Sequence, residues 1–144
     1  MDLKRYKIKR KFNITPEPEG KIKETGKRRF VVHEHHATRL HYDFRLEMEG
    51  VLKSWAVPKG PPEEAGVKRL AVRVEDHPID YIDFQGVIPQ GQYGAGIVKI
   101  WDQGKFFLKS KTPKAIKFEL KGEKLKGDYA LVNFRDKNWL LYKL

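Results

Sequence analysis

The residues best able to do chemistry lie in Arg39-Leu40-His41-Tyr42-Asp43-Phe44-Arg45-Leu46-Glu47, where every odd position is polar or charged and every even one apolar. Side chains on a strand alternate between faces, so this spacing sends Leu40, Tyr42, Phe44 and Leu46 into a core. Arg39, His41, Asp43, Arg45 and Glu47 then share the opposite, polar face. His41 and Asp43 stand two residues apart on it, within reach of one cation. His33 and His35 lie upstream with the same odd parity. Two imidazoles and a carboxylate make a three-ligand set that leaves coordination positions open for water or substrate. Arg45 beside it offers a planar fork for phosphate oxygens. Arg39 and Glu47 fit an ordinary solvated face equally well.

Further candidates follow downstream. Glu49-Gly50 reads as a two-residue hairpin turn, which sets Asp43 opposite Ala56, Arg45 opposite Ser54 and His41 opposite Pro58. Small partners leave room for a substrate, and Lys59 in Val57-Pro58-Lys59-Gly60-Pro61-Pro62 emerges next to His41. A second alternating run, Arg69 to Glu75, ends at Asp76-His77-Pro78 and presents His77 near Arg69, Arg73 and Tyr81. Gly91-Gln92-Tyr93-Gly94-Ala95-Gly96 lacks the Lys-Ser/Thr of a P-loop and precedes a strand, so it reads as a turn shaping a pocket wall.

The elements that must position these groups are β. Short alternating runs near 30–34, 39–48, 51–57, 69–75, 96–102, 105–109, 115–120, 128–134 and 138–143 are separated by Gly, Pro, Asn and Asp. No long stripe of period 3.6 exists, so the expected fold is mostly β: one barrel-like domain with short helical segments. Residues 30–144 form that domain, and residues 1–29 a basic segment that packs on it or flanks it. The first ten residues suit a short basic helix with Asp2 as N-cap, stopped by Thr15-Pro16-Glu17-Pro18.

With 144 residues, 40% hydrophobic and 34% charged, the chain suits one globular domain. Without cysteine it has no disulfide, thiolate zinc site or Cys nucleophile. No apolar N-terminal stretch appears, so the expectation is a soluble cytoplasmic protein without a membrane partner. The net charge is +11. Residues 1–29 carry eleven Lys/Arg against four acids, and Lys105, Lys109, Lys111, Lys114, Lys117, Lys121, Lys124 and Lys126 form a second set. That excess suits a polyanion such as DNA or RNA.

Phe30-Val31-Val32, His35 through Glu47, Trp55 through Pro61, Val74-Glu75-Asp76-His77-Pro78, Gly86-Val87-Ile88-Pro89 and Gly91 to Gly96 together resemble the 3′-phosphoesterase domain of ligase D from bacterial non-homologous end joining. The resemblance covers nearly the whole chain, without counterparts of the ligase and polymerase modules, as in a stand-alone form. It implies a β-barrel-like domain with a site on one open face, acting with manganese. A terminal ribonucleoside would be removed to leave a 3′-phosphate, which is then hydrolysed to a 3′-hydroxyl ready for sealing. It assigns His35, His41 and Asp43 to the metal and Arg45 and His77 to the scissile phosphate, with Lys59, Arg69 and Tyr81 in support. Arg10 and Glu17 match positions that contribute to activity. The implied partners are nucleic-acid 3′ ends on a primer–template duplex and an end-joining ligase or polymerase. Where the family reads Arg-Asp-Phe, this chain has Arg10-Lys11-Phe12, a base in place of an acid, which bears on whether both steps are retained.

The mixed nitrogen and oxygen ligands alone suit manganese, zinc or ferrous iron. Two other classes share parts of this pattern. A non-haem iron oxygenase on a barrel would call for a ligand histidine on a later strand, yet none follows His77. A non-catalytic nucleic-acid-binding barrel would use the polar strand only to touch phosphates.

Overall fold

The computed structural model describes residues 3–23 and 25–144. Nine strands follow a short helix: α1 (Lys4–Ile8), β1 (Arg29–His36), β2 (Leu40–Met48), β3 (Val51–Val57), β4 (Lys68–Pro78), β5 (Gly86–Ile88), β6 (Gly96–Thr112), β7 (Ala115–Lys121), β8 (Lys126–Arg135) and β9 (Asn138–Lys143). A 3-10 turn, Ile79–Asp83, links β4 to β5. The order β1-β2-β3-β4-β9-β8-β7-β6 closes through a β1–β6 pairing, an eight-stranded antiparallel barrel with β5 added along β6. Closure pairs the backbone groups that an open sheet would leave along its edges. The runs 96–102 and 105–109 belong to one long strand, whose first part pairs with β1 and β5 and whose later part pairs with β7.

Alternation decides what fills the barrel. Phe30, Val32, Phe44, Leu46, Trp55, Phe118 and Leu131 meet in the interior core. The opposite parity builds a second core on the outer wall, where Val31 and Leu52 pack with Tyr6 of α1 and with Ile79, Tyr81 and Ile82 of the 3-10 turn. The N-terminal residues are thus part of the packing. Tyr6 is fully buried, and its hydroxyl donates to the Pro18 carbonyl. Helix α1 has Leu3 at its N-cap position with no side-chain cap, and Asp2, the expected cap, lies outside the described residues.

This second layer changes the character of the polar face of β2. Asp43, Arg45 and Glu47 are buried, covered from outside. Glu47 accepts from Thr25 and pairs with Arg29 at 2.9 Å, so it is no solvated residue. Leu40, expected inside, is exposed because it begins the strand at the barrel rim. The expected open face is therefore a covered cleft. The turn Glu49-Gly50 has φ of 56° and 80° at its two central residues, the conformation that matches strand twist, and Met48 pairs with Val51. Asp43 consequently faces Ala56, and Arg45 faces Ser54.

No described helix is long and apolar enough to cross a membrane.

Candidate metal and phosphate site

The outer face of the β1–β2 pair works as a ladder. His35 lies directly opposite His41, His33 opposite Asp43, and Val31 opposite Arg45. Asp43 is thus diagonal to His35 and next along the face from His41. His35 Nδ1 lies 3.6 Å from Asp43 Oδ2, and His41 Nε2 lies 3.4 Å from Asp43 Oδ1. One ligand atom from each residue falls within 4.8 Å of the others. Metal–ligand bonds of about 2.1 Å set neighbouring ligand atoms about 3 to 3.5 Å apart, close to these separations.

The ring nitrogens turned away from Asp43 explain why the arrangement suits a cation. His35 Nε2 is 2.6 Å from the Gly94 carbonyl, and His41 Nδ1 is 3.3 Å from the Arg39 carbonyl. A carbonyl only accepts, so each of these nitrogens carries the hydrogen. In the neutral rings the lone pairs on His35 Nδ1 and His41 Nε2 then face the Asp43 carboxylate. Two lone pairs and an anion turned toward each other repel unless a positive charge lies between them. Backbone carbonyls that fix the imidazole tautomer in this way are a recurring support of metal ligands. Burial alone would raise the Asp43 carboxyl, but the Arg45 guanidinium and the two histidines outweigh it and hold it well below the usual range. The His41 imidazole is raised, chiefly because the Asp43 carboxylate favours a positive charge on that ring, the same preference that would hold a cation there.

Arg45 is pinned from three sides. Its Nε donates to His33 Nδ1 at 3.1 Å, Nη1 to Ser54 Oγ at 2.9 Å, and Nη2 lies 3.4 Å from Asp43 Oδ2. Its plane sits 5.0 Å from the centre of the Tyr81 ring. Among the described residues these contacts occupy three of five N–H donors, leaving two for an anion. His33 is therefore a support for Arg45 and stands outside the metal cluster.

A second guanidinium enters from the N-terminal segment. Arg10 Nε pairs with Glu17 Oε2 at 2.9 Å, Nη1 lies 3.6 Å from Glu75 Oε1, and Nη2 lies 3.3 Å from His77 Nε2. His77 Nδ1 donates to the Glu75 carbonyl at 3.0 Å, so Nε2 is the acceptor from Arg10. Burial, with Arg45 and Arg10 nearby, holds the His77 imidazole well below its ordinary value. Glu17 also receives Tyr81 Oη at 2.8 Å and Thr15 Oγ1 at 3.0 Å. Tyr81 stays a protonated donor, because burial pushes its phenol far up.

These side chains line one cleft of about 290 Å³. It holds Arg10, Glu17, His35, His41, Asp43, Arg45, His77 and Tyr81 together. Lys59 and Arg69 lie elsewhere: Lys59 is exposed, and Arg69 Nη1 donates to the Lys59 carbonyl at 2.6 Å on the rim beyond β3. Sequence reading passed over Glu75, took Ser54 only as a small residue opposite Arg45, and took the run holding Tyr93 and Gly94 only as a pocket wall, without their hydrogen bonds. Only the last two carried a local signal, the glycine-rich run that forms one wall here. Lys11 projects from the surface, while its carbonyl accepts from Ile14 and Thr15.

The closed antiparallel barrel carries on its outer wall a two-imidazole, one-carboxylate cluster that could hold a metal ion, beside two buried guanidiniums. Residues 33–133 match the family model of the DNA ligase D 3′-phosphoesterase domain, and the chain belongs to that family. It is 51% identical, over 98% of its length, to a multifunctional non-homologous end joining protein LigD from Pseudomonas aeruginosa. It is 46% identical, over 99%, to the LigD protein of Mycolicibacterium smegmatis and 47% identical, over 99%, to that of Mycobacterium tuberculosis. The chain spans 18% of the first relative's length and 20% of the other two.

Proposed function

We propose that the protein is a metal-dependent phosphoesterase that restores 3′-hydroxyl ends on nucleic acid during end joining. Its substrates are 3′-phosphates and terminal 3′-ribonucleosides on primer–template duplexes. The observation that carries this reading is the pair of tautomer-fixed imidazoles facing Asp43, with Arg45 alongside. Family membership supports the ester class.

Held by His35, His41 and Asp43, a divalent cation, manganese by family resemblance, would polarise a phosphoryl oxygen as a Lewis acid and lower the pKa of water. Arg45 turns its two unengaged N–H groups to the equatorial oxygens, where charge develops in phosphoryl transfer. Arg10 binds a further oxygen on leaving His77 Nε2. The phosphate dianion then favours the protonated form of His77, which binds it or gives its proton to the leaving oxygen. Glu17 and Tyr81 act as positioning residues, since one Glu17 oxygen receives both Arg10 and the Tyr81 hydroxyl. Lys59 and Arg69, outside the cleft, have no part in this reading of the reacting phosphate.

The test uses labelled primer–templates with 3′-phosphate or 3′-ribonucleotide ends, a panel of divalent ions, and the His41→Ala variant. Hydrolysis that needs an added metal and falls by at least about a hundredfold in the variant is expected. Equal rates in chelator, or with His41→Ala, would reject the proposal. Release of phosphate without removal of ribonucleosides would assign only the second step to this chain.

A further inference from the structure

A second cavity, of about 480 Å³, opens beside the site cleft and shares Val74, Glu75 and Tyr93 with it. The two therefore form one continuous depression, with the Lys9–Glu75 pair and Tyr93 as the sill between them. Lys9 Nζ lies 3.0 Å from Glu75 Oε2, 3.3 Å from Tyr93 Oη, and 4.7 Å from the centre of that ring.

Beyond the sill the walls are basic. Arg5 comes from α1, Arg73 from β4 and Lys137 from the β8–β9 turn. The two acids there are already engaged. Glu75 pairs with Lys9 and Arg10, and Asp76 with Arg73 at 2.6 Å and Lys53 at 3.3 Å. Arg73 is committed to Asp76 and to the Ser54 and Val74 carbonyls. Arg5 and Lys137 are exposed and have no ion-pair partner among the described residues. Two unpaired cations on a concave wall, with the acids between them neutralised, form a surface that attracts a polyanion.

We infer that this groove takes the sugar–phosphate backbone of the strand whose 3′ end enters the site, with Arg5 and Lys137 on successive phosphates. Tyr93, 47% exposed at the sill, offers its ring to the terminal nucleotide. This rests on the proposed function for the identity of the end, but the groove makes a separate claim about the strand. It explains how a cleft of about 290 Å³, small for a whole nucleotide chain, selects an end that belongs to a polymer.

The experiment compares the wild type with Arg5→Glu/Lys137→Glu and with a charge-matched control on the far wall, Lys105→Glu/Lys121→Glu. Binding of a fluorescent single-stranded oligonucleotide with a 3′-phosphate is followed by anisotropy, in chelator, across a salt series. For the groove variant we expect roughly tenfold weaker binding or more, and a log–log salt slope smaller by about 1.4, two phosphate contacts on a single strand. The control should change both by much less. In the assay with metal, KM should rise for the oligonucleotide and stay unchanged for a nucleoside 3′-monophosphate. Equal losses in groove and control variants would mean diffuse charge attraction and overturn the inference. So would an unchanged slope, no binding by the wild type, or an equal loss on the small substrate. If the wild type binds with the expected slopes yet hydrolyses nothing, the groove stands and the proposed reaction fails.

Discussion

At the residue scale, chemistry follows from which nitrogen of each imidazole is occupied. His35 and His41 spend one nitrogen on a backbone carbonyl and aim the other at Asp43; His33 spends Nδ1 on Arg45. The same residue type therefore does two jobs two positions apart. In the folded chain His33 protonates only at about 3, first because it is buried and then because Arg45 is adjacent. Unfolded, it would titrate near 6.5. The unfolded chain thus binds the extra proton, so this contribution is fully present above pH 6.5 and is lost as pH falls toward 3. Between pH 7 and 5 it amounts to about 2 kcal/mol. Urea unfolding in chelator should show this loss in the wild type and a smaller one in His33→Gln, which has no ring to charge. An identical pH dependence in the two proteins would contradict the assignment. For Arg45→Lys we expect retained metal affinity by calorimetry with turnover lowered by about a hundredfold or more, since the ammonium cannot reproduce the planar fork. Loss of metal instead would mean that Arg45 acts mainly on Asp43.

At the element scale, the alternation of residues 39–47 made β2 and its two faces legible, and the Glu49-Gly50 turn fixed its register against β3. The antiparallel pairing of β1 with β2 then chose His35 over His33 as the partner of His41, which parity alone left open. The covering layer was not legible. Nothing local in Leu40 or Glu47 says that one is exposed and the other buried, because that depends on segments distant in sequence. Arg10 and His77, 67 positions apart, meet only through the fold. Glu17 holds this cover in place. Its carboxylate and the Arg10 guanidinium are nearly inaccessible, with side chains 1% and 5% exposed. Removing one partner of such a buried pair costs about 3 kcal/mol. Glu17→Ala should lose about that much by chemical denaturation and speed tryptic cleavage within the first 29 residues. Unchanged protection would mean that the N-terminal cover is held by Tyr6 and its neighbours alone. Gly96 is a second control point: with φ 135°, a Cβ there would overlap the His36 carbonyl oxygen of β1. Gly96→Ala should displace β1 beside His35 and weaken metal binding, while a full-affinity variant would show that the strand yields without moving its ligand.

For the whole molecule, closure of the barrel is what makes an outer-wall site rigid. The interior core holds the strands, and the outer core of Tyr6, Val31, Leu52, Ile79 and Tyr81 presses the N-terminal segment and the 3-10 turn over the cleft. The net charge of +11 is distributed so that acids near the site are paired, while many cations stay exposed. The composition announced that excess, but only the fold separates the groove beside the cleft from the lysines of β6 to β8.

The account depends on one cation being held by three named side chains. Anomalous diffraction at the manganese edge from crystals soaked in the metal would locate it directly. We expect one strong peak between His35 Nδ1, His41 Nε2 and the Asp43 carboxylate, at about 2.1 Å from each, and its disappearance in His41→Ala. A well-occupied peak elsewhere, or none among these three groups at saturating metal, would contradict the account.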